Sequence, residues 1–131
     1  MRISLKPPAA APEQVDAELD RRLELGFTFN GKVFQARNKD QGRITGASAA
    51  AMVAINMGAP AGYYRWVDPD KDFTWIARDN SRLPLDAPET VAFGQAAMQF
   101  VAALTLKSRD IKDALLSGTY IGDVTDDGLW S

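Results

Sequence analysis

The pair Asn30-Gly31, set between Phe27–Phe29 and the β-prone residues 32–35, constrains this chain more than any other feature. Asn-Gly tolerates the positive φ angles of a tight type I′ turn, so the runs on either side are expected to pair as an antiparallel hairpin. Directly beyond it the hydrophobic period changes. Ile44, Ala47, Ala51 and Ile55 fall on one helical stripe, with Asp40 as the expected cap and Gly58 and Pro60 as the stop. A hairpin that runs straight into a helix calls for an α+β design.

The rest of the chain fits that design. Pro12 suits a first helical turn, Val15, Leu19 and Leu23 recur every four positions, and Gly26 supplies a C-terminal cap, so a helix is predicted over residues 12–25. Gly46, Ala50 and Ala54 give the second helix a smooth face that would admit another backbone, a pattern any Ala-rich helix also shows. Residues 63–67 and 73–77 are aromatic and β-branched around the turn-forming Asp68-Pro69-Asp70-Lys71-Asp72, which predicts a second hairpin. A turn at Asn80-Ser81 and a short strand over 82–85 follow. Asp86-Ala87-Pro88-Glu89 then reads as a capping box. The helix it starts carries Phe93, Ala97, Phe100, Val101, Leu104, Ile111 and Leu115 on one side and closes at Gly118, with Gly94 marking a kink or a close contact.

A length of 131 residues suits one domain burying roughly two thirds of its unfolded surface. The expected fold is α+β: two short β-hairpins with three helices, the long C-terminal helix packing on a small antiparallel sheet. Residues 12–118 would form the domain. Residues 1–11, Pro- and Ala-rich with Ile3 and Leu5 as apolar anchors, read as an extended arm. Residues 119–131, acidic and glycine-punctuated with Ile121, Val124, Leu129 and Trp130 as anchors, read as a second arm. Such arms often bind a neighbour by strand addition or by burying one aromatic, so these six residues are the candidate partner contacts.

Composition excludes much chemistry. A net charge of −2 gives no broad positive field for nucleic acid. The absence of Cys and His removes thiolate nucleophiles, thiolate metal sites, and the side chain most used for proton transfer near neutral pH. Pro7, Pro8 and Pro12 interrupt any secretion signal at the start. No charge lies between Arg43 and Arg65, but Gly46, Ser48, Asn56, Gly58, Pro60 and Gly62 dilute that span too heavily for a transmembrane helix.

No constellation reads as an active site. Asp68, Asp70 and Asp72 match the first three ligands of a calcium loop, yet Phe73 replaces its glycine and Asp79 its bidentate glutamate, so the run is expected to be a solvated turn. Asp16, Glu18, Asp20 and Glu24, interleaved with Arg21 and Arg22, are expected on a solvated helix face. Lys107, Arg109 and Lys112 suit the dipole near the end of the long helix. Residues 42–46 lack the lysine and glycine spacing of a Walker loop and read as a helix entry. Tyr63, Tyr64, Trp66 and Trp75, with Phe73, make an aromatic hairpin, either core packing or a platform for a glycan or receptor. No metal, cofactor or catalytic residue is expected.

The stretches FNGKVFQARNKDQGRITGA, FTWIARDNSRLPLDAPE and LKSRDIKDAL together resemble a domain family of unknown function found in tailed bacteriophages and prophages, often near tail-fibre and tail-assembly genes. The resemblance spans residues 15–116. It departs from the family pattern in the linker 58–62 and the aspartate-rich turn. It implies a non-enzymatic structural or adaptor protein, made in the host cytoplasm and placed in the virion tail, whose partners are other tail proteins of fibre or baseplate. A tail-fibre assembly chaperone absent from the virion is the alternative it leaves, and the aromatic hairpin adds a glycan-binding module as a weaker one.

Overall fold

The computed structural model describes residues 10–131. Within them four helices and two two-stranded antiparallel sheets follow in order: α1 (Pro12–Leu25), β1 (Phe27–Phe29), β2 (Lys32–Phe34), α2 (Asn38–Asn56), β3 (Thr74–Ile76), β4 (Arg82–Pro84), α3 (Ala87–Ser117) and α4 (Asp127–Trp130). The fold is α+β, and the long helix packs on the hairpins.

Helix α1 starts with Pro12 in its first turn and with the Gln14 side chain accepting the Ala11 N–H at 2.8 Å. It ends because Gly26 adopts φ 88° and ψ −170°, a region essentially closed to other residues. A Cβ at Gly26 would lie 2.1 Å from the Phe34 carbonyl oxygen, so this glycine is also where helix and hairpin meet. Asn30 and Gly31 both take positive φ, 48° and 78°, as a type I′ turn demands. The register pairs Phe27 with Phe34 and buries both.

Two sequence expectations need correction. Asp40 does not cap α2: it sits in the first turn, where its carboxylate accepts the Arg37 N–H at 3.0 Å and pairs with the Arg37 side chain. Extended Arg37 is the cap residue, so the helix begins earlier than Asp40 suggested. The second hairpin joins β3 to β4, with Trp75 opposite Leu83, and not residues 63–67 to 73–77. The Asp79 carboxylate accepts the Ser81 N–H at 2.9 Å and Asn80 takes φ 67°, a tight turn that brings β4 back onto β3. Residues 63–67 are irregular, held by the Phe73 N–H donating to the Tyr64 carbonyl at 2.7 Å. The aspartate run is the expected turn, with Asp70 N–H on the Asp68 carboxylate at 2.9 Å.

At the start of α3, Asp86 accepts the Glu89 N–H at 2.7 Å and Glu89 accepts the Asp86 N–H at 3.2 Å, the reciprocal bonds of a capping box. The second Asp86 oxygen accepts the Gly62 N–H at 2.7 Å, so one side chain both caps α3 and ties down the preceding loop. Gly94 is a close contact: a Cβ there would stand 2.6 Å from the Ser48 hydroxyl.

Helix α3, about 46 Å long for 31 residues, is the spine. Its N-terminal half carries a core of Phe27, Phe34, Ile44, Leu85, Phe93 and Ala97 between the hairpins and α2. The C-terminal half carries a second core of Val15, Leu23, Leu104, Ile111, Val124 and Trp130. Phe100 and Val101 touch both. The membership of Val124 and Trp130 corrects the expected C-terminal arm, because these anchors are buried in the chain's own core. No helix of the described residues is long and apolar enough to cross a membrane.

Candidate functional site

The four aromatic candidates divide between packing and exposure. The Trp66 indole N–H donates to the Leu85 carbonyl at 2.9 Å and its ring lies 4.8 Å from Phe73. Trp75 packs on Phe73 and, at 5.4 Å, on Phe93. Trp75 therefore belongs to the edge of the first core and Trp66 packs beside it on Phe73, each ring half-buried. Tyr64 is half-buried. The negative charge of Glu89, with burial, Asp86 and Asp72 behind it, pushes the Tyr64 hydroxyl up and keeps it protonated. Tyr63 remains exposed.

The terminal candidates divide as well. Ile3 and Leu5 lie outside the described residues. Ile121 is exposed and Leu129 is half-buried against the second core. Val124 and Trp130 are buried, and the Trp130 indole N–H donates to the Val124 carbonyl at 2.8 Å. A charged clasp holds this segment to α1. Glu18, only 3% exposed, takes a bidentate contact from Arg21 and a 2.9 Å bond from the Arg22 Nε. The Arg22 Nη2 then reaches Asp127 at 2.7 Å and the Thr125 carbonyl at 3.1 Å, with its guanidinium 5.2 Å from the centre of the Trp130 ring. Glu18 is thus no member of a solvated face. Hydrogen bonding from Arg21, against the effect of burial, holds its carboxyl below the usual range. The arrangement closes charge on charge and serves as a tether rather than a reactive pair.

Elsewhere the titratable groups do not converge. A polar cleft of about 360 Å³ lies between Arg37 and Arg43 of the α2 entry and residues 74–80, but the Arg37 guanidinium is already engaged by Asp40. Among the described residues no three acidic, His or Cys side chains are arranged to hold a metal.

What stands out instead is an uncharged surface. From Ile44 to Asn56 helix α2 carries no charge, and from Thr90 to Leu106 its neighbour α3 carries none either. The buried stripe of α2, Ile44 and Ala51, faces α3. Its outer perimeter stays open: Met52 is 56% exposed, Val53 59% and Met57 84%, with Met98 of α3 at 62%. Beside Val53 and Met57 a cleft of about 580 Å³ opens toward the exposed Tyr63 and Val67, and its far wall carries the Arg65 guanidinium, which pairs with Asp72. Across the helix a second cleft, between Met52 and Met98, is floored by Ser48 and Gly94. A Cβ built on Gly46 would meet nothing within 4 Å, so the smooth face seen in the sequence is not used inside the chain. The charge gap on α2 is legible in the sequence as a span too diluted to cross a membrane, and the matching gap on α3, residues 90–106, is the signal that locates this face.

The chain matches, over residues 6–127, the family described as a domain of unknown function (DUF4376), and it belongs to that family. No curated protein and no solved structure matches it.

Proposed function

We propose that this DUF4376 member is a non-enzymatic structural or adaptor subunit of a phage tail, near a fibre or receptor-binding element, and that it works by docking on neighbouring subunits. One observation carries the docking: the uncharged, apolar outer face of α2, where Val53 and Met57 stand open to solvent on a chain that is 24% charged. Monomeric proteins rarely leave contiguous apolar patches of this kind uncovered. The working surface thereby moves from the C-terminal segment, whose Val124 and Trp130 are occupied, to the α2 face. Ile3 and Leu5 keep a proposed role as N-terminal contacts on their sequence pattern alone. The tail setting, with the virion as final location, rests on the resemblance of residues 15–116 to the phage and prophage domains.

Mass spectrometry of purified particles from a phage that encodes the chain tests this reading. A fixed copy number per particle supports a virion subunit. Absence from particles, with co-purification of fibre proteins from infected cells, replaces it with the assembly chaperone. Absence from both overturns the tail setting.

A further inference from the structure

We infer that the cleft between α1 and residues 121–125 is a docking groove for the chain's own residues 1–9, with Leu5 seated beside Ile121. The inference goes beyond the docking reading of α2. It gives Ile3 and Leu5 a place on their own chain, and its failure would leave the α2 face untouched.

Position is the first reason. Ala10, where the described chain starts, is half-buried on the second core and itself lines the cleft, so the residues ahead of it depart from the cleft's rim. On α1 the lining residues Gln14, Ala17, Glu18 and Arg21 fall on one helical stripe about 10 Å long. Pro7 and Pro8 favour an extended backbone that advances about 3.1 Å per residue, so Leu5 lies within about 15 Å of Ala10 and spans the whole stripe. The cleft measures about 640 Å³, in the range of pockets that enclose a small ligand. The family match also begins ahead of α1, at residue 6.

Charge is the second. Residues 1–9 carry Arg2 and Lys6 and no carboxylate, with Ile3 and Leu5 alternating between polar residues. Helix α1 and residues 119–131 together carry eight carboxylates against Arg21 and Arg22. Arg21 lines the cleft, but its guanidinium is turned onto Glu18, and Arg22 is held by Glu18 and Asp127. Lys112 of α3 pairs with Asp16. Asp123 is met by Thr125 and Asp126 by the Gly128 N–H, so neither charge is answered by a cation among the described residues. A basic segment is the complement of this acidic end. Amid these carboxylates Ile121 stands 80% exposed above the buried Val124, an apolar contact waiting for a side chain such as Leu5.

The third reason is open backbone. Among the described residues no hydrogen bond uses the N–H or C=O of Ile121 or Gly122. The wall that presents them is preformed: the Tyr120 hydroxyl donates to the Asp123 carbonyl at 2.9 Å, and the Asp123 carboxylate accepts the Thr125 N–H at 2.8 Å. An extended segment laid along such an edge gains main-chain bonds and side-chain contacts together. Pro7 and Pro8 have no N–H, which leaves residues 3–6 to pair with it.

Hydrogen exchange followed by NMR on the full chain reads the Ile121 and Gly122 amides. The double substitution Ile3→Asp with Leu5→Asp should speed their exchange about tenfold, the loss of a segment seated about nine-tenths of the time, and leave the helical circular dichroism unchanged. The chain has no cysteine, so a second arm uses introduced pairs. Leu5→Cys with Ile121→Cys should form a disulfide within one chain under mild oxidation, several times faster than Leu5→Cys with Asp20→Cys, a position of α1 outside the cleft. Amide exchange indifferent to the double substitution overturns the inference. Equal rates of cross-linking to Ile121→Cys and Asp20→Cys overturn it too. A disulfide that joins two chains instead of closing within one gives the groove to a neighbouring copy's segment, and overturns it as well.

Discussion

Replacing Trp130 with alanine decides whether residues 119–131 are part of the domain or a projecting arm. Trp130 is only 6% exposed. An aromatic of this size buries about 150–250 Å², which at about 25 cal/mol per Å² gives roughly 4–6 kcal/mol. A compact unfolded chain already hides part of that area, which lowers the figure to about 3–5 kcal/mol. Large-to-small changes in packed cores cost a similar amount. Losing the bond to the Val124 carbonyl adds about 1 kcal/mol, and the Arg22 contact goes with it. Detachment of the segment limits the loss, because Val124 would leave together with the truncated side chain. We therefore expect Trp130→Ala to lose about 3 kcal/mol in urea denaturation followed by circular dichroism, a midpoint shift of about 1–2 M. Ile121→Ala, at a position 80% exposed, is the control and should stay within about 0.5 kcal/mol. Wild-type stability in Trp130→Ala would refute the burial and restore the arm.

Three further outcomes follow from the geometry. Gly26→Ala puts a Cβ 2.1 Å from the Phe34 carbonyl in a glycine-only region, and a loss of more than about 3 kcal/mol, read by thermal denaturation, is expected. Asp86→Ala removes the cap on α3 and the acceptor for Gly62 together, and should cost about 2 kcal/mol, twice a typical cap. Glu18 has its folded-state carboxyl lowered from 4.5, so its contribution is complete above that pH and is lost as pH falls through the folded value. Asp79 and Asp123 are lowered as well, through their bonds from Ser81 and Thr125, so the readout is a comparison. The urea midpoint of Glu18→Gln should fall less steeply than wild type below about pH 4.5.

Local signals were legible in the sequence wherever backbone chemistry decides the outcome. Asn30-Gly31, Pro12, Gly26, Asp86 with Glu89, and Gly118 each stand where turn and cap geometry require them. The errors arose where distant partners decide. Residues 63–67 have strand composition, but the Trp66 indole is drawn to Leu85 and the tight turn at Asn80 gives β3 a nearer partner. Residues 119–131 look like a tail because acidic and glycine residues dominate, yet two apolar side chains and one arginine from α1 suffice to fold them back. Glu18 looked solvated for the same reason: its arginines are neighbours in sequence, and the segment that covers them is not. The outer face of α2 was legible as a charge gap. Its meaning needed the position of α3.

Methionine oxidation measures the central claim at a single residue. Met57, 84% exposed in the isolated chain, should form sulfoxide rapidly under dilute peroxide. In chain held in a tail particle, the account predicts that Met57 oxidation slows at least tenfold. An unchanged Met57 rate in the assembled state would contradict the account and leave the outer face of α2 as bare surface.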